Sequence, residues 1–184
     1  MSDEEVNGVR QLVARAIQHD PDAWEVLYRR AYPRLHAYAR RRLSTDQAAD
    51  DAVSETMTRA LDRVDGFTWR GAGFDAWLTG ILRNVVLEAY RSHGRPVPVA
   101  AFIDRSEPGP LDQVIEHHDR ARVRAAFERL PLPEQEVLEL RVVQGLTAEG
   151  AAEVLGRGPG AVRMAQSRAL TRLRTLFEEQ SDAV

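Results

Sequence analysis

The chain contains no cysteine and no lysine. Without cysteine there is neither a disulfide framework nor a thiolate metal site, and nothing calls for an oxidising compartment. Without lysine, all 25 basic residues are arginine. Any phosphate or carboxylate met by a cation of this protein is therefore met by a planar guanidinium with several donors. No apolar run approaches membrane-spanning length, and the N-terminal MSDEEVNGV is acidic, without the basic-then-apolar order of a signal peptide. The expectation is a soluble cytoplasmic protein with no direct membrane insertion. Chemistry is scarce as well. His117 and His118 are adjacent, so they point to different sides of a helix and do not form an i, i+4 metal pair. GRGPG at 156–160 has no strand before it and no Gly-Lys-Ser/Thr after it, as a phosphate-cradling loop requires. Asp51 and Glu55 share a helix face, but no His or Ser accompanies them, and a solvated surface is their default explanation. No catalytic residue, metal or cofactor is expected, and the chain does not read as an enzyme.

What the chain does have is segregated charge. Its net charge of −3 excludes a uniformly basic nucleic-acid glove. Yet residues 29–42 carry Arg29, Arg30, Arg34, Arg40, Arg41 and Arg42 without an acid. Residues 46–65 carry Asp46, Asp50, Asp51, Glu55, Asp62 and Asp65 against only Arg59 and Arg63. Such alternation assigns different partners to different faces. With 184 residues and 43% hydrophobic content, two small domains can each bury a core.

Apolar spacing predicts helices throughout and no strand. A first helix spans 4–19, with Val6, Val9, Leu12, Val13, Ala16 and Ile17 on one face. Asp20-Pro21-Asp22 caps and opens a second, 21–43, burying Trp24, Leu27, Tyr28, Ala31, Leu35, Tyr38 and Ala39, with a kink or break expected at Pro33. Ser44-Thr45-Asp46 caps a third, whose buried stripe runs from Ala48 to Val64 through Ala52, Val53, Met57, Ala60 and Leu61. Its outward side is acidic. A fourth runs from Phe74 to about Ser92. These four share one core, a bundle-like unit over 4–92. Pro96, Pro98, Pro108, Gly109 and Pro110 then forbid regular helix, so 93–115 reads as a flexible linker. The second unit, 116–178, begins with a helix closed by Pro131, followed by one from Pro133 through Val137, Leu138, Leu140, Val142 and Val143 to Gly145.

The next stretch, TAEGAAEVLGRGPGAVRMAQSRALTRLRTL, organises the rest. Ala151, Ala152, Val154 and Leu155 form the apolar set of a short helix, Gly156 and Gly158 allow a tight corner, and Pro159 suits the first position of the next helix. Val162, Ala165, Ala169, Leu173 and Leu176 recur at spacings of three and four. Arg157, Arg163, Arg168, Arg172 and Arg174 come with no acid before Glu178. A solvated amphipathic helix is the bland alternative, but such a helix carries interleaved acids for pairing. The pattern is a helix-turn-helix that meets phosphate.

GFTWRGAGF at 66–74 is unusual for a connector. Phe74 and Trp77 fall on the apolar stripe and belong to the core. Trp69 and Arg70 suit base stacking and core closure equally: an aromatic beside an arginine stacks unpaired bases at about 1–3 kcal/mol each, and glycines admit a nucleic-acid backbone.

Together LYRRAYPRLHAYARRRL, DDAVSETMTRAL, FDAWLTGILRNVV and LPLPEQEVLELRVVQGLTAEGAAEVLGRGPGAVRMAQSRALTRLR resemble, in order, spacing and total length, the extracytoplasmic-function (ECF) group of bacterial RNA polymerase sigma factors. The resemblance implies an all-α fold of two small helical domains, a sigma-2-like bundle and a sigma-4-like helix-turn-helix domain, joined by the linker. It implies no extra N-terminal autoinhibitory region. Core RNA polymerase is the implied partner, through the clamp helices of its β′ subunit and the flap of its β subunit. Asp50, Asp51 and Glu55 match the helix that docks on the clamp helices. Trp69, Arg70 and the pair Arg83 and Asn84 match positions that capture the melted, single-stranded −10 element. Arg157, Arg163, Gln166, Ser167, Arg168 and Arg172 lie in the segment that reads duplex −35 DNA. Asp104 and Glu107 of the linker could mimic nucleic-acid charge near the cleft or exit path. Ala165 stands where the family often has a basic residue and Gln166 where it usually has an apolar one, which shifts base contacts to Gln166 or its neighbours. An anti-sigma factor, often membrane-anchored, is a partner the family commonly has.

The reading is a sigma subunit that binds core polymerase, directs it to promoters and helps open the −10 region. The alternatives are a transcriptional regulator whose N-terminal bundle dimerises or senses a ligand, and a helical adaptor that bridges proteins. A regulator needs neither an acidic third helix nor an aromatic loop beside it, and an adaptor would tolerate loss of the arginines on the last helix.

Overall fold

A computed structural model of the chain describes residues 3–69, 73–92 and 121–181. Among them there are helices and no strand. The first unit comprises α1 (Asp3–Ile17), α2 (Pro21–Arg40), α3 (Asp46–Arg63) and α4 (Gly73–Ser92). Its ends are capped as the sequence implies. The Asp20 carboxylate accepts from the backbone N–H groups of Asp22 and Ala23 at 3.0 and 3.2 Å, and the Thr45 hydroxyl accepts from Ala48 N–H at 3.1 Å. Residue His19, between the first two helices, takes a left-handed φ of 58°. At Pro33 the expected break is absent: α2 runs through it to Arg40. Pro33 is exposed, so the carbonyl four residues earlier, which loses its helical donor, faces solvent. Leu61, expected in the buried stripe of α3, is also exposed. It sits beside Trp24 and Tyr28 on an open groove.

The second unit has a helical stretch at 121–128 (α5), then α6 (Leu132–Leu138), a π-helical turn (Glu139–Val143), α7 (Ala148–Leu155) and α8 (Pro159–Ser181). The π turn departs from the continuous helix expected after Pro133 and changes which residues are buried. Val142 is 59% exposed and Val143 is exposed too, whereas Glu139 is 0% exposed. One extra residue per turn rotates the chain and points the glutamate inward. Gly145 and Gly156 both have left-handed φ, 65° and 64°. Gly156 ends α7, its N–H returning to the carbonyls of Ala152 and Glu153. Gly158 does not need a positive φ.

The two units pack together. Phe74, Leu78, Leu82 and Val86 of the first unit belong to one buried cluster with Leu140, Leu146, Ala151, Ala152, Val162 and Ala165 of the second. Helix α7 lies against α4, and its buried residues are Ala148, Gly150, Ala151 and Ala152. Their small side chains let two helices approach closely. A separate small cluster of Phe127, Leu130, Leu138 and Ala169 closes the far side of the second unit, with Leu173 and Leu176 against it. Polar contacts pin the junction. Arg41, at the end of α2, forms an ion pair with Glu139 98 positions later. Gln144 donates to the same carboxylate at 3.2 Å and to the carbonyl of Arg34 at 3.4 Å. Arg83 of α4 donates to Glu136 of α6 at 2.8 Å. The linker at 93–115, with Asp104 and Glu107, lies outside the described residues, as do His117 and His118.

Two stability measurements follow from this packing. Gly156→Ala should lower stability by about 1–2 kcal/mol in urea denaturation, because an added Cβ meets nothing within 4 Å and the cost is the left-handed backbone alone. Gly156→Asn should cost less. Glu139→Ala should cost about 3–5 kcal/mol by removing the buried carboxylate that Arg41 and Gln144 meet at the junction, while the double change Arg41→Leu with Glu139→Leu should recover much of that loss.

Candidate nucleic-acid interface

Helix α8 is built with two opposite faces. Val162, Ala165 and Ala169 are buried, and Leu173 and Leu176 are half-buried. They hold α8 against α6 and α7. The remaining circumference is solvent-facing and carries Arg163, Arg168, Arg172 and Arg174, with Arg157 exposed in the preceding corner. Pro159 begins the helix, and the amide end of the macrodipole adds to the positive potential there.

Two of the arginines nevertheless have acidic partners on other helices, which the local sequence hides. Arg163 pairs with Glu149 of α7 at 3.0 Å, and Arg172 pairs with Glu134 of α6 at 3.2 Å. Arg174 pairs with Glu178 at 2.8 Å. The Glu149 carboxyl is held below its ordinary range by its own backbone N–H first and by Arg163 second. Among the described residues Arg157 and Arg168 make no ion pair. Exposed pairs of this kind contribute about 0–1 kcal/mol, so a phosphate can replace the carboxylate at little cost.

Gln166 and Ser167 have different surroundings. Ser167 is exposed. Gln166 is half-buried and its side-chain oxygen accepts from Arg141 Nε at 2.9 Å. The guanidinium of Arg141 also donates to the carbonyl of Leu146. Gln166 thus ties α8 to the π turn and the chain leading into α7. Ala165 is buried, so its small size serves the helix crossing.

In the first unit, Asp51 and Glu55 are both exposed on α3, one turn apart. Glu55 pairs with Arg59 at 2.7 Å, and Arg59 also reaches Glu88 of α4 at 2.8 Å. Arg59 holds the Glu88 carboxyl below its ordinary range. Asp50 faces α2 instead. It accepts from the Tyr32 hydroxyl at 2.5 Å and lies 3.4 Å from Nε2 of His36. The Tyr32 hydroxyl is pushed up to about 12, first by that hydrogen bond and then by burial. It therefore remains a donor until the pH rises through that value. Tyr28, Tyr32 and His36 form a ladder along α2, with ring centroids 5.7 and 5.4 Å apart. Nothing in the local sequence marks Tyr32 and His36 as partners of Asp50, because they lie on a different helix.

The aromatic loop resolves in part. Phe67 contacts Trp69, Phe74 and Trp77 at centroid distances of 5.1–5.4 Å, and Phe74 is buried. Phe74 and Trp77 close the core as expected. Trp69 is exposed, with Phe67 at its edge and the Arg10 guanidinium 5.2 Å from its ring centroid. Arg70 lies outside the described residues. Asn84 is exposed on α4, whereas Arg83 is turned to Glu136 of the second unit. Of the described residues, Trp69, Arg83 and Asn84 lie on the first unit, and Arg83 is held by the second.

Comparison with known proteins agrees with this layout. The family model for Sigma-70 region 2 matches residues 27–96, and that for Sigma-70, region 4 matches residues 120–173. The ECF RNA polymerase sigma factor BldN of Streptomyces coelicolor is 33% identical, over 98% of this chain and 70% of its own length. The ECF RNA polymerase sigma factor SigD of Mycobacterium tuberculosis is 34% identical, over 89% of this chain and 81% of its own. Among solved structures, CnrH in complex with the cytosolic domain of CnrY matches with a TM-score of 0.65 and 27% identity, covering 92% of this chain and 97% of that one. RpoE of Bartonella quintana, in complex with the anti-sigma factor NepR, matches with a TM-score of 0.57 and 28% identity, covering 79% and 91%. An all-helical chain with a region 2 bundle, a region 4 helix-turn-helix and relatives of this kind over nearly its whole length belongs to the ECF sigma factors, the RNA polymerase subunits that direct transcription initiation.

Proposed function

We propose that this sigma factor works in the cytoplasm, catalyses no reaction of its own, and divides its tasks among three surfaces. Asp51 and Glu55 on α3 dock on a basic surface of core polymerase, with Asp50 held in place by Tyr32 and His36. Trp69, Asn84 and Arg83, together with Arg70, capture unpaired −10 bases. The outward face of α8, with Arg157, Arg163, Ser167 and Arg168, enters the −35 major groove. Gln166 acts in this reading as a brace, through Arg141. Residues 4–92 and 116–178 act as the two functional domains, with 93–115 connecting them.

The observation that carries the reading is the ion pair between Arg83 and Glu136. It joins a −10 position to the second unit, so the packed arrangement is a resting form. Promoter capture exchanges the Glu136 carboxylate for nucleic acid and separates the two units. CnrH, matched over 92% of this chain, is seen in complex with a cytosolic protein domain. An inhibitory protein that holds the units together is the corresponding partner here.

Reconstituted run-off transcription is the direct test. The purified chain, added to sigma-free bacterial core polymerase and fragmented genomic DNA, should produce discrete 5′ ends that require it; their absence would overturn the reading. Asp51→Arg with Glu55→Arg should weaken core binding at least tenfold without changing the circular dichroism spectrum. Unchanged affinity removes the docking role. Arg163→Ala and Arg168→Ala should each flatten the dependence of log affinity on log salt by about 0.9 for holoenzyme on a −35 duplex, the slope of one phosphate contact. An unaltered slope excludes that contact.

A further inference from the structure

Met164 is the most exposed of the large hydrophobic side chains among the described residues, at 63%. Its position is not arbitrary. Val162, which is fully buried, precedes it by two residues, and at 3.6 residues per turn the two side chains lie about 160° apart around the axis. Met164 therefore points directly away from the seam that holds α8 to α6 and α7. It falls in a stripe with Gly160, Ser167 and Thr171, with Arg163 on one flank and Arg168 on the other. Thr171 donates its hydroxyl to the Ser167 carbonyl at 3.1 Å, which leaves Met164 and the Ser167 hydroxyl as the side-chain groups that project from the centre of the stripe.

Helix formation does not ask for methionine here. Glutamate, glutamine or arginine forms helix about as well and remains hydrated. A single exposed apolar residue is ordinary on a protein surface; one centred between two arginines, on the face opposite the packing seam of a helix-turn-helix, has a specific geometry. A helix about 10–12 Å across fills a major groove about 12 Å wide. The flanks of its outer face then meet the phosphates of the two walls, and the middle meets base edges. At a base edge the one apolar group is the 5-methyl of thymine, and methionine's unbranched thioether adapts its shape to such a contact.

We propose that Met164 reads a thymine methyl in the −35 element, with Arg163 and Arg168 holding the helix in register through phosphates. This rests on the assignment of α8 to −35 duplex. The same residue thereby becomes a specificity determinant that the arginine pattern alone does not reveal.

The test uses holoenzyme assembled from the full chain and core polymerase. Binding sequences are selected from duplexes randomised at the −35 position, and each selected thymine is then replaced by deoxyuridine, which removes only the methyl and keeps the pairing. At one or two positions the replacement should weaken wild-type binding about threefold to fivefold, the factor that burial of one methyl group is worth. Met164→Ala should bind thymine and deoxyuridine duplexes equally, and Met164→Leu should keep part of the preference. The side chain is exposed, so both variants should melt like the wild type. If no selected thymine is sensitive, if the element contains none, or if Met164→Ala discriminates as well as the wild type, the proposal is wrong. If the holoenzyme selects no −35 sequence at all, the assignment of α8 itself fails.

Discussion

A carboxylate with no solvent exposure must be paired, and the partner of Glu139 lies 98 positions away, at the end of α2. The rest of the arrangement depends on that requirement. The π turn places Glu139 inward, and Arg41 and Gln144 meet it there. Around this polar centre Leu140 and Leu146 join the core of the first unit. Desolvating an ion pair costs about as much as the pair gains back. The contact therefore selects one docking geometry and adds little net stability, while the apolar surface around it supplies the attraction.

The consequence reaches the nucleic-acid surfaces unequally. On α4, Arg83 is drawn into the junction by Glu136, so the setting of its guanidinium depends on whether the units are together. On α8 the outward face points away from the seam. Arg163 and Arg174 pair through exposed contacts with Glu149 and Glu178, and Arg172 with the half-buried Glu134. One arginine is held at the junction between the units, and the others pair on the outward side of α8.

The acidic face of α3 is divided in the same way. Asp50, Asp51 and Glu55 form one acidic group in the sequence, but α2 takes Asp50 through Tyr32 and His36 and leaves Asp51 and Glu55 outward. Arg59 bridges Glu55 to Glu88 and ties α3 to α4 beneath the patch. The patch is thus held from two sides, Asp50 by α2 and Glu55 by Arg59 of its own helix, while Asp51 remains outward.

Much of the fold was legible in the sequence because it is written in short-range rules. Apolar spacing marked α1 to α4 and α8, and Asp20 and Thr45 marked two helix starts. Gly156 and Pro159 marked the corner of the helix-turn-helix, whose basic outer face follows from α8 alone. Other features could not be read locally. Pro33 does not break α2, because its surroundings are solvent. Leu61 is exposed although its period puts it in the stripe, since α3 meets its neighbours over a narrower arc than the pattern suggests. The burial of Glu139, the diversion of Gln166 to Arg141 and of Arg83 to Glu136, and the pairing of Arg163 and Arg172 of α8 all need partners elsewhere in the fold. Periodicity and capping are properties of neighbours in the chain, so the sequence by itself determined which helices form and which of their faces are apolar. Which charge meets which, and which arginine is left for DNA, depends on distances between residues far apart in the chain, and only the tertiary packing decided them.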